Sequence, residues 1–161
     1  MKPEQITIHY LKYEKIENLN SRQIQVLNAA QEIANYAYAP FSLFKVGAAL
    51  LLEDQSIITG CNQENASFPC GICAERVALY TYGSSKSKVP IKKIAISAKA
   101  LNTEPVAPCG LCRQVLSEFE EINNAPIEII LGHSDSTIYV FPSANSLLPF
   151  HFQAGLLKTN L

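Results

Sequence analysis

The residues best suited to chemistry lie in a near-repeat. Pro69-Cys70-Gly71-Ile72-Cys73 runs into Ala74-Glu75-Arg76, and Pro108-Cys109-Gly110-Leu111-Cys112 runs into Arg113-Gln114-Val115. Four of the five cysteines thus form two Cys-x-x-Cys pairs, a pattern that points to zinc. The number of thiolates on the metal decides the chemistry. Four would close the coordination shell and make a structural centre, whereas three would leave a position for water and make a reactive one. Spacing alone leaves both open.

Cys73, Cys109 and Cys112 fall at expected helix starts. Free backbone N–H groups and the positive end of the helix dipole stabilise thiolates there. Cys109 and Cys112 are three residues apart and can face one point. Glu75, two residues beyond Cys73, is close enough to reach water on a metal. Zinc lowers the pKa of such water to about 7, and a neighbouring carboxylate can take that proton and later give it to a leaving group. A first-turn glutamate that complements the helix dipole explains Glu75 equally well. Arg76 suits the reactive centre, because three thiolates leave zinc with a net negative charge that a guanidinium on the sulfurs offsets. By itself, Arg76 is most simply a surface residue.

The elements that must position these residues follow from the hydrophobic pattern. Residues 6–16 alternate weakly through Ile6, Ile8 and Tyr10 and suggest an extended arm. Asn20 or Ser21 is expected to cap a helix carrying Ile24, Leu27, Ala30, Ala34 and Ala37, with Pro40 ending it. Val46 to Leu52 is an apolar strand, and Glu53-Asp54-Gln55-Ser56 turns it back into Ile57–Cys61 as a hairpin. A helix runs from about Cys73 to Gly83, followed by a loop to Pro90 and a strand over Lys93–Ala98. A loop over Asn102–Pro108 leads to a helix marked by Val115, Leu116, Phe119 and Ile122, which Asn123, Asn124 and Pro126 end. Ile127–Leu131 and Thr137–Phe141 are two further strands. Five strands alternating with helices predict an α/β architecture with a sheet covered on both faces.

The 161 residues suffice for one domain with a real core, and 48% hydrophobic content excludes disorder. No composition shift marks a second domain, so one domain over 1–161 is expected, with residues 1–18 as a possible N-terminal arm. Thirteen basic and 14 acidic residues give a formal charge of −1, which argues against electrostatic capture of nucleic acid. No apolar run is long enough to cross a membrane, and the first residues lack a secretion-signal pattern. The expected compartment is the cytoplasm, where paired cysteines more often hold metal than form disulfides.

Five segments, in order and suitably spaced, together resemble the zinc-dependent cytidine deaminases, specifically the small homotetrameric type with three cysteine zinc ligands. They are Ala39-Pro40-Phe41-Ser42-Leu43-Phe44-Lys45-Val46-Gly47-Ala48-Ala49-Leu50, Gly60-Cys61-Asn62-Gln63-Glu64-Asn65-Ala66-Ser67-Phe68, Cys73-Ala74-Glu75-Arg76, Pro108-Cys109-Gly110-Leu111-Cys112-Arg113-Gln114 and Leu147-Leu148-Pro149-Phe150-His151-Phe152. The resemblance covers about residues 20–155. It implies a three-layer α/β/α sandwich around a five-stranded mixed sheet, one Zn2+ per chain, and hydrolytic deamination of cytidine and 2′-deoxycytidine to the uridines in pyrimidine salvage. It implies Cys73, Cys109 and Cys112 as zinc ligands, Glu75 as proton shuttle and Arg76 as the hydrogen-bond donor to ligand sulfurs. For substrate it implies Asn62 and Glu64 on the ribose hydroxyl, Phe44 packing against the pyrimidine, Ala74 as a further substrate-binding residue, and Phe152 delivered over the base by a neighbouring subunit of a homotetramer. Without it, Asn62 and Glu64 are ordinary loop residues, and Phe44 and Phe152 pass as core or surface aromatics.

Some features depart from the pattern. Cys70 is not a ligand position in that family, and Phe68 stands where many of its members carry tyrosine. The rivals are a structural four-cysteine zinc module that binds a partner, a redox Cys-x-x-Cys protein, and a deaminase acting on another aminopyrimidine nucleoside or on nucleic acid. His9, His133 and His151 are expected to be structural, and Cys61 to be a small buried side chain.

Overall fold

Strict alternation along three central strands builds a sheet buried on both faces. The computed structural model describes residues 1–99, 104–153 and 155. In β2 (Val46–Leu52), Ala48, Leu50 and Leu52 enter one core, and Ala49 and Leu51 enter the other. β4 (Ile91–Ala98) and β5 (Glu128–Leu131) divide in the same way: Ile94, Ile96, Ile129 and Leu131 face one layer, Ala95 and Ile130 the opposite one. The first core is roofed by α2 (Ala74–Ser84) and α3 (Gly110–Asn123), the second by α1 (Ser21–Ala34). Helix–sheet–helix layering therefore follows from two apolar sheet faces that each must be covered. Each fully buried leucine or isoleucine contributes about 1.5–3 kcal/mol relative to exposure.

The expected hairpin is present, with β3 (Ile57–Cys61) antiparallel to β2. β6 is Ile138–Phe141 and β1 is Leu11–Tyr13, giving the strand order β1-β6-β5-β4-β2-β3. Among the described strands only β4 and β5 pair in parallel, and their crossover is α3, as a parallel pair requires. The sheet thus has six strands where five are expected. The sixth is part of the N-terminal arm: Leu11, Lys12 and Tyr13 pair with Val140, Tyr139 and Ile138. Tyr10 packs against Tyr139 and Phe141 at 5.0 and 5.2 Å between ring centroids. Three residues are too few to carry a readable alternation, so only the partner strand defines this one.

α1 begins as expected. The Asn20 side chain accepts from Arg22 N at 3.1 Å and Gln23 N at 3.0 Å, while Gln23 Oε1 accepts from Asn20 N at 3.0 Å, a reciprocal cap. It ends at Ala34, before Ala37. The chain leaves the helix early because Tyr38 N donates to Asn62 O (3.1 Å) and Tyr38 O accepts from Glu64 N (2.8 Å), so backbone pairing across the fold replaces another helical turn. The loop expected over 102–108 lies partly outside the described residues.

Two glycines set layer distances. A Cβ on Gly47 would lie 2.0 Å from Ala30 O, and one on Gly60 would lie 2.5 Å from Ala78 N and 2.8 Å from Ala74 O. Gly60 therefore lets the first turn of α2 settle directly on β3.

Candidate active site

Cys73 and Cys109 occupy the positions just before α2 and α3, both with extended backbone, and neither side chain caps its helix. Cys112 follows in the first turn of α3 and is fully buried. The two helix starts meet. Cys73 Sγ lies 4.0 Å from Cys109 Sγ, Cys109 Sγ lies 3.5 Å from Cys112 Sγ, and all three sulfurs fall within 4.8 Å of one another. Cys70 does not join them. It ends a short 3-10 helix over Phe68–Cys70 and is exposed. The four-cysteine centre therefore lacks its fourth sulfur, and the structure brings together the three that the reactive reading needs.

The chemistry of this donor set fits a divalent cation. Three thiols this close cannot all ionise unaided, because like charges raise one another's pKa. The Cys112 thiol beside it holds Cys73 down to about 5, with Arg76 acting in the same direction, whereas Cys112 is pushed up by Cys73 and by burial. A bound cation removes that conflict. Arg76 Nη2 points to Cys73 Sγ at 3.9 Å, and Arg76 Nε is buried without a hydrogen-bond partner, so the guanidinium is committed to the sulfur cluster.

Glu75 sits in the first turn of α2 and is only 4% exposed. Burial pushes its carboxyl above the usual carboxylate range, against the pull of its own backbone N–H. A helix-dipole glutamate belongs at the surface, so this depth favours a role at the cluster over the bland alternative. Ala74 beside it is fully buried.

A cleft of about 540 Å³ opens beside Cys73, lined in part by Phe41, Asn62, Glu64, Phe68 and Ile72. Asn62 uses half of its amide on the backbone: Oδ1 accepts from Val46 N at 2.8 Å, and Nδ2 donates to Phe44 O at 2.9 Å. Glu64 accepts from Phe41 N (2.8 Å), Ser42 N (3.2 Å) and Ser42 Oγ. The Ser42 hydroxyl, with the Phe41 N–H, holds the Glu64 carboxyl below its ordinary value. A carboxylate offers about four acceptor sites and an amide two donors and two acceptors. The pair retains one free acceptor on Glu64 and one free donor on Asn62, the complement of a hydroxyl. Phe41 and Ser42 as holders of Glu64 carried no separate signal in the sequence, since their contact spans 22 or 23 residues.

Phe44 lies elsewhere. It lines a second cavity with Gln31, Lys45, Ser97 and His133, and its carbonyl accepts from the Asn62 amide. Phe152 is 59% exposed, and its backbone is held by Gln114. His133 caps a loop after β5, His151 lies 3.6 Å from Glu121, and Cys61 is buried. None of them joins the sulfur cluster.

Fold and site together define a zinc protein with a buried carboxylate set against a three-thiol centre at two helix starts. The chain belongs to the cytidine and deoxycytidylate deaminase zinc-binding family, whose model matches residues 20–128. It is 40% identical over 134 residues to a cytidine deaminase of Halalkalibacterium halodurans, covering 83% of this chain and 95% of that one. It is 36% identical over 132 residues to a probable cytidine deaminase of Dictyostelium discoideum, covering 81% and 84%. The crystal structure of cytidine deaminase from Burkholderia pseudomallei superposes with a TM-score of 0.70 at 38% identity, covering 80% of this chain and 97% of that chain. A zinc-binding family and a three-thiol cluster give one zinc ion per chain. No helix among the described residues is long and apolar enough to cross a membrane.

Proposed function

We propose that this protein is a zinc-dependent cytidine deaminase, converting cytidine and 2′-deoxycytidine with water into uridine and 2′-deoxyuridine with release of ammonia. The observation that carries this reading is Glu75, a carboxyl buried to 4% exposure two residues from a thiol of the three-sulfur cluster. Cys73, Cys109 and Cys112 hold the zinc. When bound, the ion supplies a Lewis acid that makes hydroxide available near neutral pH.

Glu75 takes the proton from the attacking water and passes it to the pyrimidine N3 as oxygen adds to C4. It then relays the proton of the new C4 hydroxyl to the exocyclic amine, the C4–N bond breaks as the C4 carbonyl forms, and ammonia leaves. Burial raises the proton affinity of Glu75, which suits a group that must hold a proton between transfers. Arg76 offsets the charge of the thiolates. The free valences of Asn62 and Glu64 take the ribose hydroxyl, and Ala74 borders the base; Phe44, which lines the other cavity, acts here through its carbonyl, which holds the Asn62 amide. Phe152 of a neighbouring subunit closes the site, so the active species is a homotetramer.

The chain acts as one catalytic domain on free nucleosides in the cytoplasm, in pyrimidine salvage. Its near-neutral charge and hydroxyl-sized polar pair favour a nucleoside over a nucleic acid. The test is loss of cytidine absorbance with purified protein, run beside zinc content per chain. Turnover with one zinc per chain is expected, and no turnover by zinc-loaded protein overturns the reading.

A further inference from the structure

Building on the deaminase reading, we propose that Gln114 is a positioning residue that sets the C-terminal segment so that Phe152 is presented to substrate. The segment from Ser143 to Phe152 runs antiparallel along α3, fastened at almost every turn. Glu120 accepts from Ser143 Oγ at 2.6 Å and Ala144 N at 2.8 Å. Ser117 Oγ donates to Asn145 Oδ1 at 2.6 Å, and Arg113 Nη1 donates to Leu147 O at 3.1 Å. Gln114 Nε2 donates to Phe152 O at 2.8 Å, and Gln114 Oε1 accepts from Phe152 N at 3.2 Å. Arg113, Ser117 and Glu120 share one helical face and hold residues 143–147, whereas Gln114 lies on the adjacent face with Glu121, whose carboxylate is 3.6 Å from His151, so the tail crosses to a second stripe at its end.

The end of the tail differs from the rest. Glu120 and Ser117 hold a buried turn and serve packing. Gln114 holds an exposed aromatic residue by its backbone alone, with both amide valences used as a neighbouring strand would use them. The ring is left free to project, and the φ of +59° at Phe150 directs the chain through a sharp bend just before it. Gln114 also lies two residues beyond Cys112. Arg113 ties the same turn back to Pro108 O at 2.8 Å, immediately before Cys109. The cysteine-bearing turn and the tail are thereby one mechanical unit, so the start of α3 sets the direction in which the tail leaves its own subunit toward its neighbour's site.

The test uses zinc-loaded full-length protein. Gln114→Ala should keep one zinc per chain and raise KM for cytidine about ten-fold while kcat changes less than about two-fold, since the loss falls on binding. The double variant Gln114→Ala/Phe152→Ala should raise KM no further than Phe152→Ala alone, as coupled residues do. The chain contains no tryptophan, so Phe152→Trp provides a single fluorophore at the tail. Its anisotropy should fall when Gln114→Ala is added. An unchanged KM, additive effects of the two truncations, or an unchanged anisotropy overturns the positioning role while leaving deamination intact. Wild-type protein inert toward cytidine overturns the deaminase reading instead.

Discussion

In the proposed reaction Glu75 is the residue on which the chemistry turns. Its carboxyl is buried beside three thiols, and the same burial that makes its charge costly makes it hold a proton. Glu75→Gln keeps the shape and removes the proton carrier. Zinc content and fold should be retained, and turnover of cytidine should drop at least about 100-fold; a near-wild-type rate would exclude Glu75 as the shuttle. The cysteines divide cleanly at the same scale. Cys70→Ser should keep zinc and most activity, because its exposed sulfur lies outside the cluster. Cys73→Ser, Cys109→Ser and Cys112→Ser should each lose both. Cobalt-substituted protein gives an independent check through the intensity of its thiolate charge-transfer bands, with three thiolates expected and a four-thiolate spectrum counting against the open site.

At the scale of elements, site geometry depends on how closely layers approach. Gly60→Ala places a methyl 2.5 Å from Ala78 N, where backbone must move. The start of α2 carries Cys73 and Glu75, so zinc content and activity should fall together, with a measurable drop in melting temperature. Unchanged zinc content and activity would mean that α2 can shift without consequence. The turn at Phe41–Ser42 responds to acid through Glu64. Ser42 and Phe41 bond to the ionised form and depress its pKa below the ordinary 4.5. Folding therefore binds fewer protons there. The stabilisation is fully present above pH 4.5 and is lost as pH falls through the lower folded value. Glu64→Ala should raise KM for cytidine far more than for free cytosine, and equal losses on both would contradict a ribose contact.

For the whole molecule, the exposed aromatic side chains decide the expected assembly. Phe41, Phe68, Phe150 and Phe152 are 53%, 73%, 94% and 59% exposed, and the first two meet edge to face at 5.7 Å on the rim of the cleft. Aromatic surface of this extent favours a covering partner, and in the proposed tetramer a second copy of the chain supplies Phe152. Sedimentation should show four chains per particle, with activity lost on dissociation. A fully active monomer would break the composite site. Removal of zinc by chelation should abolish turnover and leave helix and sheet content, because both cores are apolar and independent of the cluster. Adding zinc back should restore activity.

The sequence by itself determined the local chemistry and most of the elements. Two Cys-x-x-Cys pairs announced a metal, and the apolar run Val46–Leu52 and the Ile94/Ile96 face of Lys93–Ala98 announced buried strands, because both signals lie within a few residues. Tertiary structure decided what depends on distant partners. It excluded Cys70 from the cluster, although its spacing from Cys73 equals that of Cys109 from Cys112. It ended α1 at Ala34 in favour of backbone bonds from Tyr38 to Asn62 and Glu64. It made a strand of Leu11–Tyr13 by pairing it with β6, some 127 residues away in chain position. It also buried Glu75, which weighs an even choice between dipole partner and proton carrier toward the second, because depth below the surface is a property of packed layers and has no signature in the order of residues.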